Sequence, residues 1–173
     1  ITAEDLSKSY GKIKAVDSLS FSVEKGELFG FLGVNGAGKS TVINMLSTLM
    51  KPSSGKAEIC GYRLGRNDNE IRSRIGIVYQ HNCLDGILTA EENLIFKGLL
   101  YGMNRSGVKK QLDKVCSILE LADIREKRYS TLSGGQKRRC EIAAALMHTP
   151  EILFLDEPTT GLHPRDIEHF LVL

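Results

Sequence analysis

A chain of 173 residues is long enough to bury one ordinary hydrophobic core, and its 42% hydrophobic and 25% charged residues read as soluble and globular, excluding a disordered or fibrous chain. A formal net charge of +2 gives no electrostatic case for nucleic acid. No apolar run reaches the ~18 residues needed to span a bilayer, and the N-terminus lacks the basic and apolar regions of a signal peptide, so a membrane would enter only through a partner.

The first 25 positions alternate, with Leu19, Phe21 and Val23 on one side and Ser20, Ser22 and Glu24 on the other, which predicts an antiparallel, half-buried strand. Lys25-Gly26 makes a turn, and ELFGFLG over 27–33 is read as a compact apolar strand running into a glycine-rich loop. Val42, Ile43, Met45, Leu46 and Leu49 fall at helical spacing and predict a helix over 39–50, stopped before Pro52. Ser53-Ser54-Gly55 marks a turn, and 56–62 and 75–79 read as further strands. Thr89 and Glu92 form a capping box opening a helix through Leu94, Ile95, Leu99 and Leu100. Val108, Leu112, Val115, Cys116 and Leu119 predict a second amphipathic helix. Residues 81–129 therefore read as a helical subdomain inserted between 1–80 and 130–173.

Three segments carry chemistry. GVNGAGKST over 33–41 has the pattern G-x-x-x-x-G-K-[ST] between a predicted strand and a predicted helix. Gly33, Asn35, Gly36, Ala37 and Gly38 would curl so that backbone N–H groups point at phosphate oxygens, with the dipole of the following helix aimed at the same anion. Lys39 would reach the outer phosphates of ATP or a similar triphosphate, and Ser40, followed by Thr41, would offer its hydroxyl to Mg²⁺. Ile152–Leu155 is four apolar residues, expected as a strand buried on both faces in a parallel sheet. Asp156 and Glu157 at its C-terminal end stand where such sheets bind ligands. Asp156 would orient Mg²⁺ through its water shell, and Glu157 would act as general base on an attacking water. Stabilising the next helix N-terminus is the simpler role for both acids. Leu132-Ser-Gly-Gly-Gln136 reads first as a capping box, Ser133 with Gln136, for a helix through Ile142, Ala145 and Leu146. Its two glycines, Gly134 and Gly135, also make it an anion site, and the two readings are compatible.

GVNGAGKST, LSGGQ and ILFLDEP, in this order and at these separations, resemble the nucleotide-binding domain of an ATP-binding cassette (ABC) protein over nearly the whole chain. KSYGKIKAVDSLSFSVEKGE and DEPTTGL are similar to the ATPase subunits of multidrug-type exporters. The resemblance implies an α/β P-loop ATPase core with a parallel sheet, an N-terminal antiparallel β element and the helical insertion. It implies that Tyr10 stacks on adenine, and that Gln80 contacts Mg²⁺ and the attacking water. It further implies that 81–129 docks on a transmembrane permease at the cytoplasmic face. Ser133, Gly134, Gly135 and Gln136 would then face the ATP of a second nucleotide-binding domain in a head-to-tail dimer. Read without the resemblance, Tyr10 and Gln80 are surface residues. A soluble ABC ATPase acting on ribosomes or DNA, and a dimerisation switch with little turnover, are the competing functions.

Other polar clusters read more plainly. Lys137-Arg138-Arg139 is expected on the solvated face of a helix, and no direct nucleic acid partner is expected. His81, His148 and His169 lack metal-ligand spacing. Cys60, Cys83, Cys116 and Cys140 have neither CxxC nor CxxH spacing and are read as small apolar fillers in a reducing compartment. Two departures from the family pattern stand out. The sequence stops at Leu173, before the strand that ends in the family's γ-phosphate histidine, so a C-terminally truncated core is expected. His163 occupies the place of the usual aspartate in TTGLHP, which bears on communication between protomers.

Overall fold

The computed structural model describes residues 1–31, 34 and 36–156. It divides into two compact units, 1–75 and 76–173, which are taken in turn.

The first unit is built on a four-stranded antiparallel sheet in the order β2-β1-β3-β4. Strands β1 (Thr2–Tyr10) and β2 (Ile13–Ser22) form a hairpin in which Tyr10 pairs with Ile13 and Thr2 with Ser22. The predicted alternation holds: Leu19, Phe21 and Val23 are half-buried, while Ser20, Ser22 and Glu24 are exposed. β3 (Ser54–Ile59) pairs with β1 and turns into β4 (Tyr62–Arg63). The single strand expected over 56–62 is thus broken, because Cys60 and Gly61 both take positive φ (51° and 78°), the backbone of a tight two-residue hairpin turn.

Helix α1 (Lys39–Leu46) buries Val42, Ile43, Met45 and Leu46 as the spacing predicts. It stops a turn earlier than expected, because Thr48 turns to φ 65° and directs Leu49 outward, where it is 59% exposed. Residues 27–31 are not a strand. Among the described residues they join no ladder, and Leu28 and Phe29 are exposed, while Phe21, Phe29 and Phe31 gather their rings with centroids 5.1–5.3 Å apart. Aromatic clustering takes the place of the strand pairing that the apolar run suggested. The short helix α2 (Asp68–Arg72), with Ile71 fully buried, was not expected from the sequence.

The second unit holds a two-stranded parallel sheet, β5 (Ile75–Val78, its first residue closing the first unit) with β6 (Ile152–Leu155), and the helices α3 (Ala90–Leu100), α4 (Arg105–Ile118) and α5 (Gly134–Leu146). Both predicted capping boxes are present. The Glu92 N–H donates to the Thr89 hydroxyl at 3.1 Å, and the Thr89 N–H to the Glu92 carboxylate at 2.7 Å. Asn104 caps α4 with a single bond, its side-chain oxygen accepting from the Gly107 N–H at 2.8 Å. The core runs through Leu94, Val108, Leu112, Leu121, Ile142 and Met147, all buried. Arg125 ties α3 to α4 by bonding both Glu91 and Asp113.

Three expectations change in this unit. In β6 only Phe154 is buried and its neighbours are half-buried, consistent with a strand that has one ladder partner, β5, among the described residues. Cys116 and Cys140 are buried fillers, but Cys83 is exposed. The solvated face expected for Lys137-Arg138-Arg139 does not form: Arg138 is 5% exposed, and Arg139 bonds the carbonyls of Leu119 and Glu120. α5 is enclosed so fully that Arg138 and Cys140 through Ala145 are all buried, which leaves no outer face on the middle of the helix.

Candidate functional site

In the first unit the loop ahead of α1 is shaped by its glycines. Gly36 and Gly38 have φ of 85° and 84°, and Gly38 is the N-cap residue. A Cβ at Gly38 would collide with the Ala15 carbonyl oxygen on β2 and lie 3.2 Å from Val16 Cγ2, so position 38 excludes other residues by both conformation and contact. The Ala37 N–H closes a turn on the Val34 carbonyl at 3.1 Å, and Lys39 Nζ donates to the same oxygen, also at 3.1 Å. α1 has no side-chain cap and no acidic residue in its first turn. Ser40 is exposed, and Lys39 and Thr41 are half-exposed. A helix N-terminus of this build presents backbone donors and a positive dipole end to an anion.

Tyr10 belongs to the same unit. It is 47% exposed at the end of β1, donates its hydroxyl to Met50 Sδ at 3.0 Å, and has Lys8 Nζ 5.5 Å above its ring. Its partner Ile13 lies two residues before Ala15, against which Gly38 packs, so the aromatic and the glycine loop meet the same end of β2. Gly33 and Asn35 lie outside the described residues.

In the second unit the Asp156 N–H donates to the Val78 carbonyl at 3.0 Å. Asp156 and the Tyr79-Gln80 pair therefore leave neighbouring parallel strands at the same, C-terminal end, where sheets of this kind bind ligands. Gln80 stands two residues beyond β5, which ends one residue earlier than the 75–79 expected. Ser133 caps α5: it accepts from the Gln136 N–H at 3.4 Å, and its own N–H donates to the Gln136 side-chain oxygen at 2.9 Å. Ser133 and Gly134 are exposed, Gly135 and Gln136 half-exposed, and the first turn of α5 carries no acid. Glu157, His163 and His169 lie outside the described residues.

Two buried charged residues of α5 were missed. Arg138 donates to the carbonyl oxygens of Tyr79 and, at 3.2 Å, Asp156. Glu141 Oε1 accepts from the Cys83 N–H (2.7 Å), the Leu84 N–H (3.1 Å) and the Tyr129 hydroxyl (2.7 Å). Burial and the Glu141 carboxylate hold the Tyr129 phenol above its ordinary range, and burial lowers the Arg138 guanidinium against the opposing pull of Glu141 and Asp156. The sequence holds a signal for both: Arg138 and Glu141 lie one turn before the apolar Ile142 and Ala145, on the same side of the helix.

The glycine-capped helix on a strand-and-helix framework, with polar ends on a parallel sheet, is that of an α/β P-loop nucleotide-binding domain. Residues 16–160 match the family model for ABC transporters, and the chain belongs to that family. It is 45% identical over 171 residues to the linearmycin resistance ATP-binding protein LnrL of Bacillus subtilis, covering 99% of this chain and 55% of that one. It is 44% identical to the bacitracin transport ATP-binding protein BcrA of Bacillus licheniformis, covering 97% and 54%. The chain thus spans about half the length of the curated relatives it matches. Among solved structures, the ATP-binding cassette MJ0796, a dimer in a post-hydrolysis state bound to ADP and Pi, superposes with a TM-score of 0.85 at 29% identity, over 99% of this chain and 80% of that one. CbiO1 from Clostridium perfringens, part of the ABC transporter complex CbiONQ, also gives 0.85 at 28% identity, over 99% and 71%.

Proposed function

We propose that this chain binds and hydrolyses ATP to power an ABC exporter, working as one half of a head-to-tail pair of nucleotide-binding domains. The acid-free, glycine-capped N-terminus of α1 is the observation that carries this reading. Gly33, Asn35, Gly36, Ala37, Gly38 and Thr41 cradle the phosphates through backbone and hydroxyl donors. Lys39 exchanges its bond to the Val34 carbonyl for the outer phosphates, and Tyr10 stacks on the base. Ser133, Gly134, Gly135 and Gln136 hold the γ-phosphate of the nucleotide carried by the second protomer. Glu157 takes a proton from the attacking water, which Gln80 orients.

Ser40, Gln80 and Asp156 supply hard oxygen ligands suited to Mg²⁺. The ion, when bound, neutralises charge on the phosphate oxygens. The fit rests on the exposed Ser40 hydroxyl in the first turn of α1 and on the carboxylate of Asp156 at a sheet C-terminal end.

Residues 81–129 form the docking subdomain for a transmembrane permease. A groove of about 360 Å³ is lined by the apolar Leu84, Leu88, Phe96 and Leu100 together with Cys83, Asp85, Asn93 and Lys97, and Phe96, Leu99, Leu100 and Tyr101 are exposed on and beside α3. Apolar surface of this kind suits a partner helix. Among the described residues no helix is long and apolar enough to cross a membrane. In this reading, which the family membership supports, a separate or fused permease provides the spans and the chain works at its cytoplasmic face. The relatives named for resistance to linearmycin and transport of bacitracin support export as the direction.

The test is steady-state ATPase activity of the full-length protein, wild type against Glu157→Gln, with a pull-down of partners from detergent-solubilised membranes. Turnover abolished by the substitution, together with recovery of a multi-helix membrane protein, is the expected result. Nucleotide-driven dimerisation without turnover in the wild type, or recovery of ribosomes or DNA instead, would overturn the reading.

A further inference from the structure

α5 carries two buried charged residues, Arg138 and Glu141, one turn apart on the same helix. Four of their hydrogen bonds go to backbone. Arg138 bonds the carbonyls of Tyr79 and Asp156, the residue just before Gln80 and the acid just after β6. Glu141 bonds the N–H groups of Cys83 and Leu84, three and four residues beyond Gln80. The segment bearing Gln80 is therefore gripped on both sides by a single helix, and that helix begins at Ser133. Side chains of this size and charge are rarely fully buried unless their partners fix them, and here four of the partners are main-chain groups of the Gln80 segment and the Asp156 strand end, with the Tyr129 hydroxyl a fifth.

We infer that Arg138 and Glu141 are positioning residues that hold the Gln80 segment and the Asp156 strand end against the LSGGQ helix, so that the two halves of the catalytic machinery carried by one chain are coupled. The inference rests on the head-to-tail reading. In such a pair Ser133 and its glycines engage the nucleotide of the second protomer, whereas Gln80 and Asp156 act on the chain's own nucleotide. A shift of α5 on closing against one nucleotide is then passed directly to the groups that orient water and metal at the other. Arg138 supplies a two-pronged fork to two separate strand ends, which a lysine cannot reproduce. Glu141 gathers three donors on one oxygen, which a glutamine at the same place accepts only in part.

The test uses the full-length protein with its permease in membranes, comparing wild type with Arg138→Met, Arg138→Lys, Glu141→Ala and Glu141→Gln. It has two readouts: ATP-dependent turnover, resolved into kcat and half-saturation, and amide hydrogen exchange across residues 79–84. The expected result is that Arg138→Met and Glu141→Ala lower kcat by about ten-fold or more while half-saturation stays within about two-fold, the pattern of a misaligned site rather than a lost ligand contact. Glu141→Gln recovers most of the rate and Arg138→Lys does not. Exchange at 79–84 rises by about ten-fold in the two severe variants, with the amides of α4 unchanged. Unchanged kcat in a folded variant overturns the inference, as does a fall in rate matched by loss of ATP binding or by raised exchange throughout the unit. If the wild type itself has no turnover, the functional reading fails. The exchange arm then still decides the grip: equal exchange at 79–84 in wild type and variants removes it.

Discussion

Helices α3 and α1 begin in opposite ways, and the difference separates a structural helix start from one built for a ligand. α3 opens with Thr89 and Glu92 closing on each other, with Glu91 beside them, so its first-turn donors meet side-chain oxygen and its dipole meets negative charge. α1 opens on Gly38 with neither a side-chain cap nor an acid. α5 lies between the two: it has the reciprocal box of α3, but the residue returning to the cap is the neutral Gln136, and no acid occupies its first turn. An acid there would stabilise the helix and repel a phosphate; α4 also lacks one, so the missing acid permits a phosphate without marking one, and it is the uncapped glycine start of α1 and the glycines of α5 that set these two apart.

The largest effect that tests this contrast is Gly38→Val. The substitution puts a branched side chain at φ 84° and against the Ala15 carbonyl, at a cost of about 2–4 kcal/mol, with ATP binding lost as well. Gly36→Ala meets only the conformational penalty, about 1 kcal/mol, since nothing lies within 4 Å of its Cβ. Thermal melts and nucleotide titration of both variants separate loop shape from packing.

The second effect is alkaline. α5 rests on groups that titrate, whereas the buried face of α1 is Val42, Ile43, Met45 and Leu46. Burial pushes the Cys140 thiol from 9.0 up to about 12, and burial with the Glu141 hydrogen bond raises Tyr129 above its ordinary 10.0. A folded pKa above the unfolded one means stability that is complete below the unfolded value and lost as pH rises: from pH 9 to about 12 for Cys140, and above pH 10 for Tyr129. The slope is at most about 1.4 kcal/mol per pH unit for each group. Melting temperature followed from pH 8 upward falls in the wild type, and Cys140→Ala and Tyr129→Phe flatten the fall. Exchange that opens α1 before α5 as pH rises would break the contrast.

Smaller still are the caps. Ser133→Ala and Thr89→Ala each remove one side-chain acceptor and cost about 1 kcal/mol of stability. Only Ser133→Ala also weakens ATP-driven dimerisation. Equal dimerisation by both variants would reduce LSGGQ to a cap.

Much of this arrangement was legible in the residues. Thr89 with Glu92 and Ser133 with Gln136 gave both boxes correctly, because a capping box is local and its spacing fixes its geometry. Val42 through Leu46 gave the buried face of α1 for the same reason. Errors fell where the outcome depends on distant partners or on backbone conformation. Residues 27–31 carry a strand's composition without a ladder among the described residues, and Cys60-Gly61 turns a nominal strand into a hairpin. Arg138 was misplaced because charge suggested solvent, whereas the carbonyls of Tyr79 and Asp156, 59 and 18 residues away, supply its partners. Sequence spacing shows which side of α5 Arg138 occupies, but only the fold shows what waits there.

The central claim is that the acid-free starts of α1 and α5 each meet a phosphate. It is tested most directly by Gln136→Glu, set in a Glu157→Gln background of the full-length protein to slow hydrolysis. The substitution keeps the capping box, copies the acid found at α3, and changes stability by only a few tenths of a kcal/mol. The account predicts an unchanged melting temperature and an ATP-dependent dimer, read by light scattering, that is weakened by about ten-fold or more. A dimer that forms with undiminished affinity would contradict it.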